Sequence, residues 1–264
     1  MIRAISLGVL ALVLSFSVQA AELNERCLAG KLAGHAPPGS LRQADAFAVM
    51  GVESGRLLWR SAGRGLAQVE AGPGSLFKVI SAYAALDGKK LDPEERINCR
   101  PGRKNVASEA QPVRCWLGTG HGPVNLRRAL AESCNRYFAW LGAKVGTGDL
   151  LKTARSFGLG RTTGSGLPGE ASGRLPGKAS REMASRLAVG QAEGLLVTPL
   201  QMLVVAGALA NGGLLLRPRV DPAGRGPAKS SGGLENAEAL RFIREGLIQA
   251  SAYGAGSAQG LGNL

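Results

Sequence analysis

The 264-residue sequence is poor in aromatic residues, histidine and cysteine, and each shortage narrows the possible functions. Aromatic residues make up 5% of the chain and do not interleave with the basic ones, which argues against nucleic-acid binding despite a net charge of +13. The histidines are His35 and His121, and no C-x-x-C pair occurs among the four cysteines. Because these potential ligands are scattered singly along the chain, we expect no metal site. A P-loop pattern is also lacking, Gly254, Gly256 and Gly260 do not form a G-x-G-x-x-G pattern, and we expect no cofactor.

Long apolar runs are lacking except at the N-terminus. There, Arg3 precedes an apolar stretch from Ile5 to Val18, and Val18-Gln19-Ala20 resembles a signal-peptidase cleavage site. The run is short for a membrane span, so it favours a cleaved signal peptide over an uncleaved anchor. We therefore expect export to the periplasm or cell envelope. The predicted organisation is a signal peptide, a lead-in segment and one domain: residues 1–20, 21–44 and 45–264.

Two of the cysteines flank one short loop. Export would expose Cys99 and Cys115 to an oxidising compartment, where such a pair commonly forms a disulfide. Closing a loop of this length would stabilise the fold by about 3 kcal/mol. The sequence thus predicts a Cys99–Cys115 disulfide.

The segment from Pro73 to Leu86 is apolar almost all the way round a helix, which predicts a buried helix. Ser75 lies at its start, and Lys78 follows three residues later on the same face. A buried lysine tends to be neutral and can serve as a base, and a serine beside a base is an activated nucleophile. The alternative is that Ser75 only caps the helix and Lys78 reaches solvent.

The remaining pattern mixes strands and helices, and predicts an α+β fold. Two apolar runs around a Glu53-Ser54-Gly55 turn predict a hairpin. Helical patterns follow, the first of them broken near Ser133-Cys134-Asn135, and a polar loop is predicted over 221–233. The predicted helices span residues 125–144, 149–157, 198–211 and 235–250. Asp149 is the predicted N-cap of the second of these helices.

Three motifs in order resemble the penicillin-binding protein transpeptidase domain. They are Ser75-Leu76-Phe77-Lys78, Ser133-Cys134-Asn135, and Gly190-Gln191 with Thr198-Pro199-Leu200-Gln201. The resemblance covers about residues 45–255, and the same superfamily includes serine β-lactamases. It implies the α+β fold of the penicillin-binding and β-lactamase-like transpeptidases, with a helical region and an antiparallel sheet.

The resemblance also implies roles for individual residues. Ser75 corresponds to the acylated nucleophile and Lys78 to its base. Ser133 corresponds to the second serine, which relays a proton to the leaving group, and Asn135 to the residue that binds the substrate amide. We interpret Cys134 as a buried filler and the Gly190–Gln201 stretch as structural.

One motif of the family is missing. The family places a K-[ST]-G strand after its last helix, where it lines the site, and no K-[ST]-G occurs in the 264 residues. We therefore expect a largely complete helical region, an antiparallel sheet that is incomplete at the C-terminus, and a weakened oxyanion hole.

The resemblance implies a serine acyltransferase of peptidoglycan synthesis, of transpeptidase or carboxypeptidase type. It implies peptidoglycan stem peptides as substrates, β-lactams as covalent ligands, and an envelope protein as a further partner. Because the third motif is missing, a non-catalytic module that binds cell wall or a partner stays an alternative, as does a β-lactamase-related hydrolase.

Overall fold

The computed structural model describes residues 48–60, 65–101, 113–177, 181–220 and 229–256. The predicted signal peptide and lead-in segment lie outside these residues. Within the described ranges, no helix combines the length and apolar character needed to cross a membrane.

The chain forms short strands and longer helices that alternate along the sequence. The strands are β1 (Ala48–Met50), β2 (Leu57–Arg60), β3 (Ile97–Cys99), β4 (Gly122–Val124), β5 (Leu214–Leu216) and β6 (Ser230–Gly233). The helices are α1 (Gly65–Gln68), a 3₁₀ turn (Gly74–Phe77), α2 (Lys78–Asp87), α3 (Leu126–Ala131), α4 (Asn135–Val145), α5 (Thr147–Ser156), α6 (Arg181–Ala188), α7 (Pro199–Ala210) and α8 (Ala237–Ala252). These elements divide into two compact units.

The first unit contains the strands β1, β2, β5 and β6 with helices α1 and α7. Strands β1 and β2 pair antiparallel, which confirms the predicted hairpin. Helix α7 begins with a capping box, in which Thr198 Oγ1 accepts the Gln201 N–H and the Gln201 side chain accepts the Thr198 N–H. Its Leu200 joins Leu66 and Ala67 of α1 in a small apolar core.

The second unit is mainly helical and is built around α2. Helix α2 is buried from Lys78 to Ala85 and packs against α4, α6 and α8, as its apolar sequence predicts. Helices α4 and α6 approach closely at Gly142, where a Cβ would lie 2.4 Å from the Ala184 carbonyl oxygen. The predicted break at residues 133–135 is confirmed, because α3 ends at Ala131 and α4 begins at Asn135.

Several boundaries differ from the sequence predictions. Helix α5 begins at Thr147 rather than after Asp149, because Gly146, at φ 87°, ends α4 and turns the chain at once into the next helix. Residues 230–233, predicted as part of a polar loop, form β6 against β5. Strands β3 and β4 were not predicted, since Pro123 and Gly122 obscure any alternation in so short a pair.

Candidate active site

Ser75 lies in the 3₁₀ turn that leads into α2, and its side chain is exposed. The preceding Gly74 has φ 54°, a conformation that glycine adopts without steric cost. Lys78 begins α2, and its side chain is only 3% exposed. The sequence therefore places the accessible hydroxyl group of Ser75 next to the buried amine of Lys78.

The amine of Lys78 lies at the centre of the site. Its Nζ is 3.1 Å from Ser75 Oγ, 2.8 Å from Ser133 Oγ, 2.7 Å from the Ser133 carbonyl oxygen and 2.6 Å from Asn135 Oδ1. All of these are neutral oxygen acceptors. Within the described residues, no carboxylate lies at ion-pair distance from Nζ. The structure thus brings together the four predicted site residues, and it argues against the alternative in which Lys78 reaches solvent.

The environment of Lys78 favours its neutral form. Burial lowers the pKa of the amine from 10.5 to about 8, and the nearby thiol groups of Cys134 and Cys115, when ionised, partly oppose this effect. At this pKa, about one lysine in ten is neutral at pH 7. A neutral amine has a lone pair that can accept the Ser75 hydroxyl proton, and the remaining hydrogens can be donated to Ser133 and Asn135.

The segment between α3 and α4 presents Ser133 and Asn135 to the lysine. Ser133 has φ 51°, which is uncommon for a residue with a Cβ and costs energy. The backbone is held by two hydrogen bonds, from Ser133 N to Leu130 O and from Cys134 N to Ala129 O. Asn135 is oriented from both ends of its amide, because Oδ1 accepts from Lys78 and Nδ2 donates to the Arg114 carbonyl at 2.9 Å.

Gly190 contacts the turn that carries Ser75, in agreement with its structural interpretation. Its carbonyl accepts the Gly74 N–H at 3.2 Å. Gly190 has φ 74°, and a Cβ there would lie 1.9 Å from the Gly74 carbonyl oxygen. A glycine is required because no side chain fits between this residue and the turn that carries Ser75.

A group of sulfur and nitrogen atoms lies directly behind the Ser133–Asn135 segment. The side chains of Cys99, Cys115, His121 and Cys134 each offer one ligand atom, and these atoms all lie within 4.8 Å of one another. The expectation of no metal site rested on scattered ligands, and the fold brings these ligands together. A signal was present in the sequence, since three of the four cysteines and one of the two histidines fall between residues 99 and 134.

The thiols in this group are not bonded to one another. Cys99, Cys115 and Cys134 are free, so the structure does not contain the disulfide that the sequence predicts between Cys99 and Cys115. The Sγ atoms of Cys115 and Cys134 are 4.0 Å apart, and the hydrogen bond between the two thiol groups lowers the pKa of Cys115 and raises that of Cys134. Burial raises the pKa of Cys99. The spacing argument missed this arrangement because it considered two cysteines and left out the third, Cys134, and His121.

Known proteins are similar to this chain in sequence and in fold. The family described as "Penicillin binding protein transpeptidase domain" matches residues 51–262. Stage V sporulation protein D of Bacillus subtilis is 32% identical over 148 residues, which are 56% of this chain and 23% of that protein. The peptidoglycan D,D-transpeptidase MrdA of Acinetobacter baumannii is 31% identical over 158 residues, 56% of this chain and 23% of that protein. The match spans about a quarter of the length of each of these relatives.

The fold is also shared with solved structures. In the complex of penicillin-binding protein PBP2 with MreC from Helicobacter pylori, one chain aligns with a TM-score of 0.70 and 25% identity. The alignment covers 79% of this chain and 45% of that one.

Proposed function

The chain belongs to the penicillin-binding protein transpeptidase domain family, and on this premise we propose that it is a serine acyltransferase of peptidoglycan synthesis that acts through Ser75. The observation that carries the proposal is the contact of the buried Lys78 amine with the hydroxyl groups of both Ser75 and Ser133. The proposed base is thereby within hydrogen-bond distance of both the proposed nucleophile and the proposed proton relay, as covalent acyl transfer requires.

The proposed reaction begins when neutral Lys78 accepts the hydroxyl proton of Ser75. The Ser75 oxygen attacks the carbonyl carbon of the D-Ala-D-Ala peptide bond in a stem peptide, and a tetrahedral intermediate forms. As the C–N bond breaks, the proton passes from Lys78 through the Ser133 hydroxyl to the leaving amine. The product is an ester on Ser75, which the amine of a second stem peptide or water then cleaves.

Asn135 has a positioning role in this proposal. Its Oδ1 accepts from Lys78 and keeps the amine directed at the two serines. One hydrogen of its Nδ2 is donated to Arg114 O, and we assign the other to the substrate amide carbonyl. Its side chain thus links the base to the bound substrate.

The proposal extends to ligands, partners and location. β-Lactams would acylate Ser75 as strained analogues of the stem peptide. The proposal includes an envelope protein as a partner, since the structurally similar Helicobacter pylori protein was solved with MreC. The proposed organisation is an exported chain with a signal peptide over 1–20, a lead-in segment over 21–44 and the transpeptidase-like domain over 45–264. It would act in the periplasm or cell envelope.

Labelling with a fluorescent penicillin tests the proposal. The 264 residues lack a K-[ST]-G motif, so we expect slow covalent labelling of this chain and little or no peptide turnover. Ser75→Ala should abolish the labelling. Ser172→Ala is the matched control, because Ser172 is an exposed serine whose hydroxyl contacts the adjacent Gly173 carbonyl, and it should label like the wild type.

Labelling that persists in folded Ser75→Ala protein would exclude Ser75 as the nucleophile. A folded wild-type chain that never labels would favour the second interpretation, a non-catalytic module that binds cell wall or a partner.

A further inference from the structure

Helix α2 contains a buried hydroxyl group that the proposed reaction does not use. Ser81 lies one turn after Lys78 and is fully buried, at 0% exposure, in a stretch of alanines and larger apolar residues. Alanine is a better helix former than serine and would fill this position without a polar atom that needs a partner. The presence of the hydroxyl group therefore has to be explained by the hydrogen bonds that it makes.

The Ser81 hydroxyl group reaches two backbone carbonyl groups. Its Oγ is 3.3 Å from Phe77 O, which is the usual contact of a helical serine with the carbonyl four residues earlier. The same Oγ is 3.0 Å from Ala188 O, which belongs to α6. The hydroxyl carries one hydrogen, and the shorter contact makes Ala188 the better acceptor. This bond joins α2 to the end of α6.

The Ala188 carbonyl lies where α6 ends, so its donor has to come from outside the helix. The last carbonyls of a helix have no hydrogen-bond partner within it. The two carbonyls before Ala188 accept the N–H groups of Gly190 and Gln191, at 2.9 Å and 2.8 Å. Ala188 is the last residue of α6, and its carbonyl accepts the Ser81 hydroxyl. The end of α6 and the segment that follows it are thereby fixed against α2.

The segment that follows α6 also contacts the turn that carries Ser75. The Gly190 carbonyl accepts the Gly74 N–H at 3.2 Å, and Gly74 directly precedes Ser75. The stretch from Gly74 to Ser81 is therefore bonded at both of its ends to the end of α6 and the segment after it. One of these bonds is made by the backbone and the other by the Ser81 side chain. Lys78 lies between the two bonded points.

We propose that Ser81 is a positioning residue, whose hydroxyl group fixes the end of α6 so that the Ser75 turn keeps the distance from Lys78 that acylation requires. Ser81 acts through other residues, because its side chain is fully buried and its hydroxyl contacts backbone carbonyls. Ser75 Oγ lies 3.1 Å from Lys78 Nζ, and a displacement of about 1 Å can slow a reaction about 100-fold. This proposal rests on the proposed function.

Ser185 provides a matched control on α6. It is also a buried serine, and its hydroxyl donates to the Ala139 carbonyl at 2.8 Å, which joins α6 to α4. Ala139 lies inside α4, where its carbonyl also accepts a bond within the helix, so the hydroxyl is not its sole donor. Ser185→Ala therefore removes a buried bond between two helices and leaves the contact between Gly190 and Gly74 in place.

The kinetics of penicillin labelling of the full chain test the proposal. Measuring the rate against penicillin concentration separates the affinity of the non-covalent complex from the rate constant of acylation. Ser81→Ala should lower the acylation rate constant about 10-fold or more. Its affinity and the inflection of its pH profile should not change, because the hydroxyl touches neither the ligand nor the Lys78 amine. Ser185→Ala should acylate like the wild type. Equal acylation rate constants in the two variants would overturn the proposal.

A second pair of variants separates the hydroxyl group from the packing of the side chain. Ser81→Thr and Ser81→Val introduce side chains of the same shape, of which the threonine keeps the hydroxyl group. Any strain from the added bulk is common to both variants. Ser81→Thr should therefore acylate faster than Ser81→Val, and this comparison decides the matter even if Ser81→Ala does not fold. Equal acylation rate constants in folded Ser81→Thr and Ser81→Val would contradict the role of the hydroxyl group.

Amide hydrogen exchange gives a readout that does not require activity. The Gly74 N–H should be protected in the wild type by its bond to Gly190. After correction for the global stability of each variant, Ser81→Ala should speed the exchange of this amide more than Ser185→Ala does. If the wild type never labels but Gly74 exchange responds in this way, the proposed function fails and the link from Ser81 to the Ser75 turn stands. If Gly74 exchanges equally in the two variants, the link itself is wrong.

Discussion

At the residue scale, the chemistry depends on how Lys78 is buried. Its amine is surrounded by hydroxyl, carbonyl and amide oxygens, and burial lowers its pKa to about 8. Surface lysines keep their charge at neutral pH and cannot act as bases. The single lysine of an apolar helix is therefore the residue that we propose as the base.

The lowered pKa of Lys78 predicts how penicillin labelling depends on pH. Only the neutral amine accepts a proton, so the labelling rate should rise about tenfold per pH unit below pH 7 and level off above about pH 9. The inflection should lie near the Lys78 pKa of about 8. Labelling reactions stopped at fixed times across this pH range give the rate at each pH, and hence the inflection.

Two controls accompany the pH profile. Thermal melts at each pH should show that the protein stays folded. Lys78→Ala should remove the pH-dependent phase, and Lys152→Ala, which changes an exposed lysine of α5, should keep it. A rate that falls as pH rises through 8 would contradict the role of Lys78 as base.

The backbone strain at Ser133 makes a second residue-scale prediction. Ser133→Ala and Ser133→Gly remove the same hydroxyl, so both should slow penicillin labelling. Only glycine accepts φ 51° without cost, so Ser133→Gly should be more stable than Ser133→Ala by about 1–2 kcal/mol in urea unfolding. Equal unfolding free energies would show that the site stores no strain at this position.

At the element scale, the sequence predicted the turn and helix ends that carry the candidate site residues better than it predicted the strands. Ser75 lies in the turn that leads into a strongly apolar helix, and Lys78 is the first residue of that helix. The residue types around Ser133 mark a break between helices, so the local sequence pattern sufficed. The pair β3 and β4 could not be predicted, because three-residue strands that contain Gly122 and Pro123 carry no alternation. Their pairing depends on the close approach at Gly120.

The contact between Gly190 and the turn that carries Ser75 gives an element-scale prediction. Gly190→Ala and Gly194→Ala both place a Cβ at positive φ, 74° and 76°, and each should cost about 1–2 kcal/mol for that reason. Only at Gly190 does the Cβ collide, with the Gly74 carbonyl oxygen, whereas no atom lies within 4 Å at Gly194.

Gly190→Ala should therefore lose more stability than Gly194→Ala and should label more slowly with penicillin, because the Ser75 turn is displaced. Urea unfolding and labelling rates of the two variants measure this difference. Equal losses in both variants would mean that the Gly190 contact does not position Ser75.

At the scale of the whole molecule, the family and fold were predictable and the sulfur cluster was not. The resemblance based on the ordered motifs covers most of the chain, and the matched family model spans residues 51–262. Cys99, Cys115, His121 and Cys134 are brought together by long-range packing of β3, β4 and α4, which no local pattern encodes. A spacing rule for two cysteines therefore predicted a disulfide where the structure has three free thiols and an imidazole.

The central claim is that Ser75 becomes the acyl-enzyme residue, and peptide mapping after β-lactam treatment tests it most directly. The intact mass of the wild-type protein should rise by one acyl group, and the modified residue should be Ser75 in the peptide that also contains Lys78. Ser75→Ala protein, shown to be folded, should gain no mass. An adduct on any other residue, such as Cys115, would contradict the account.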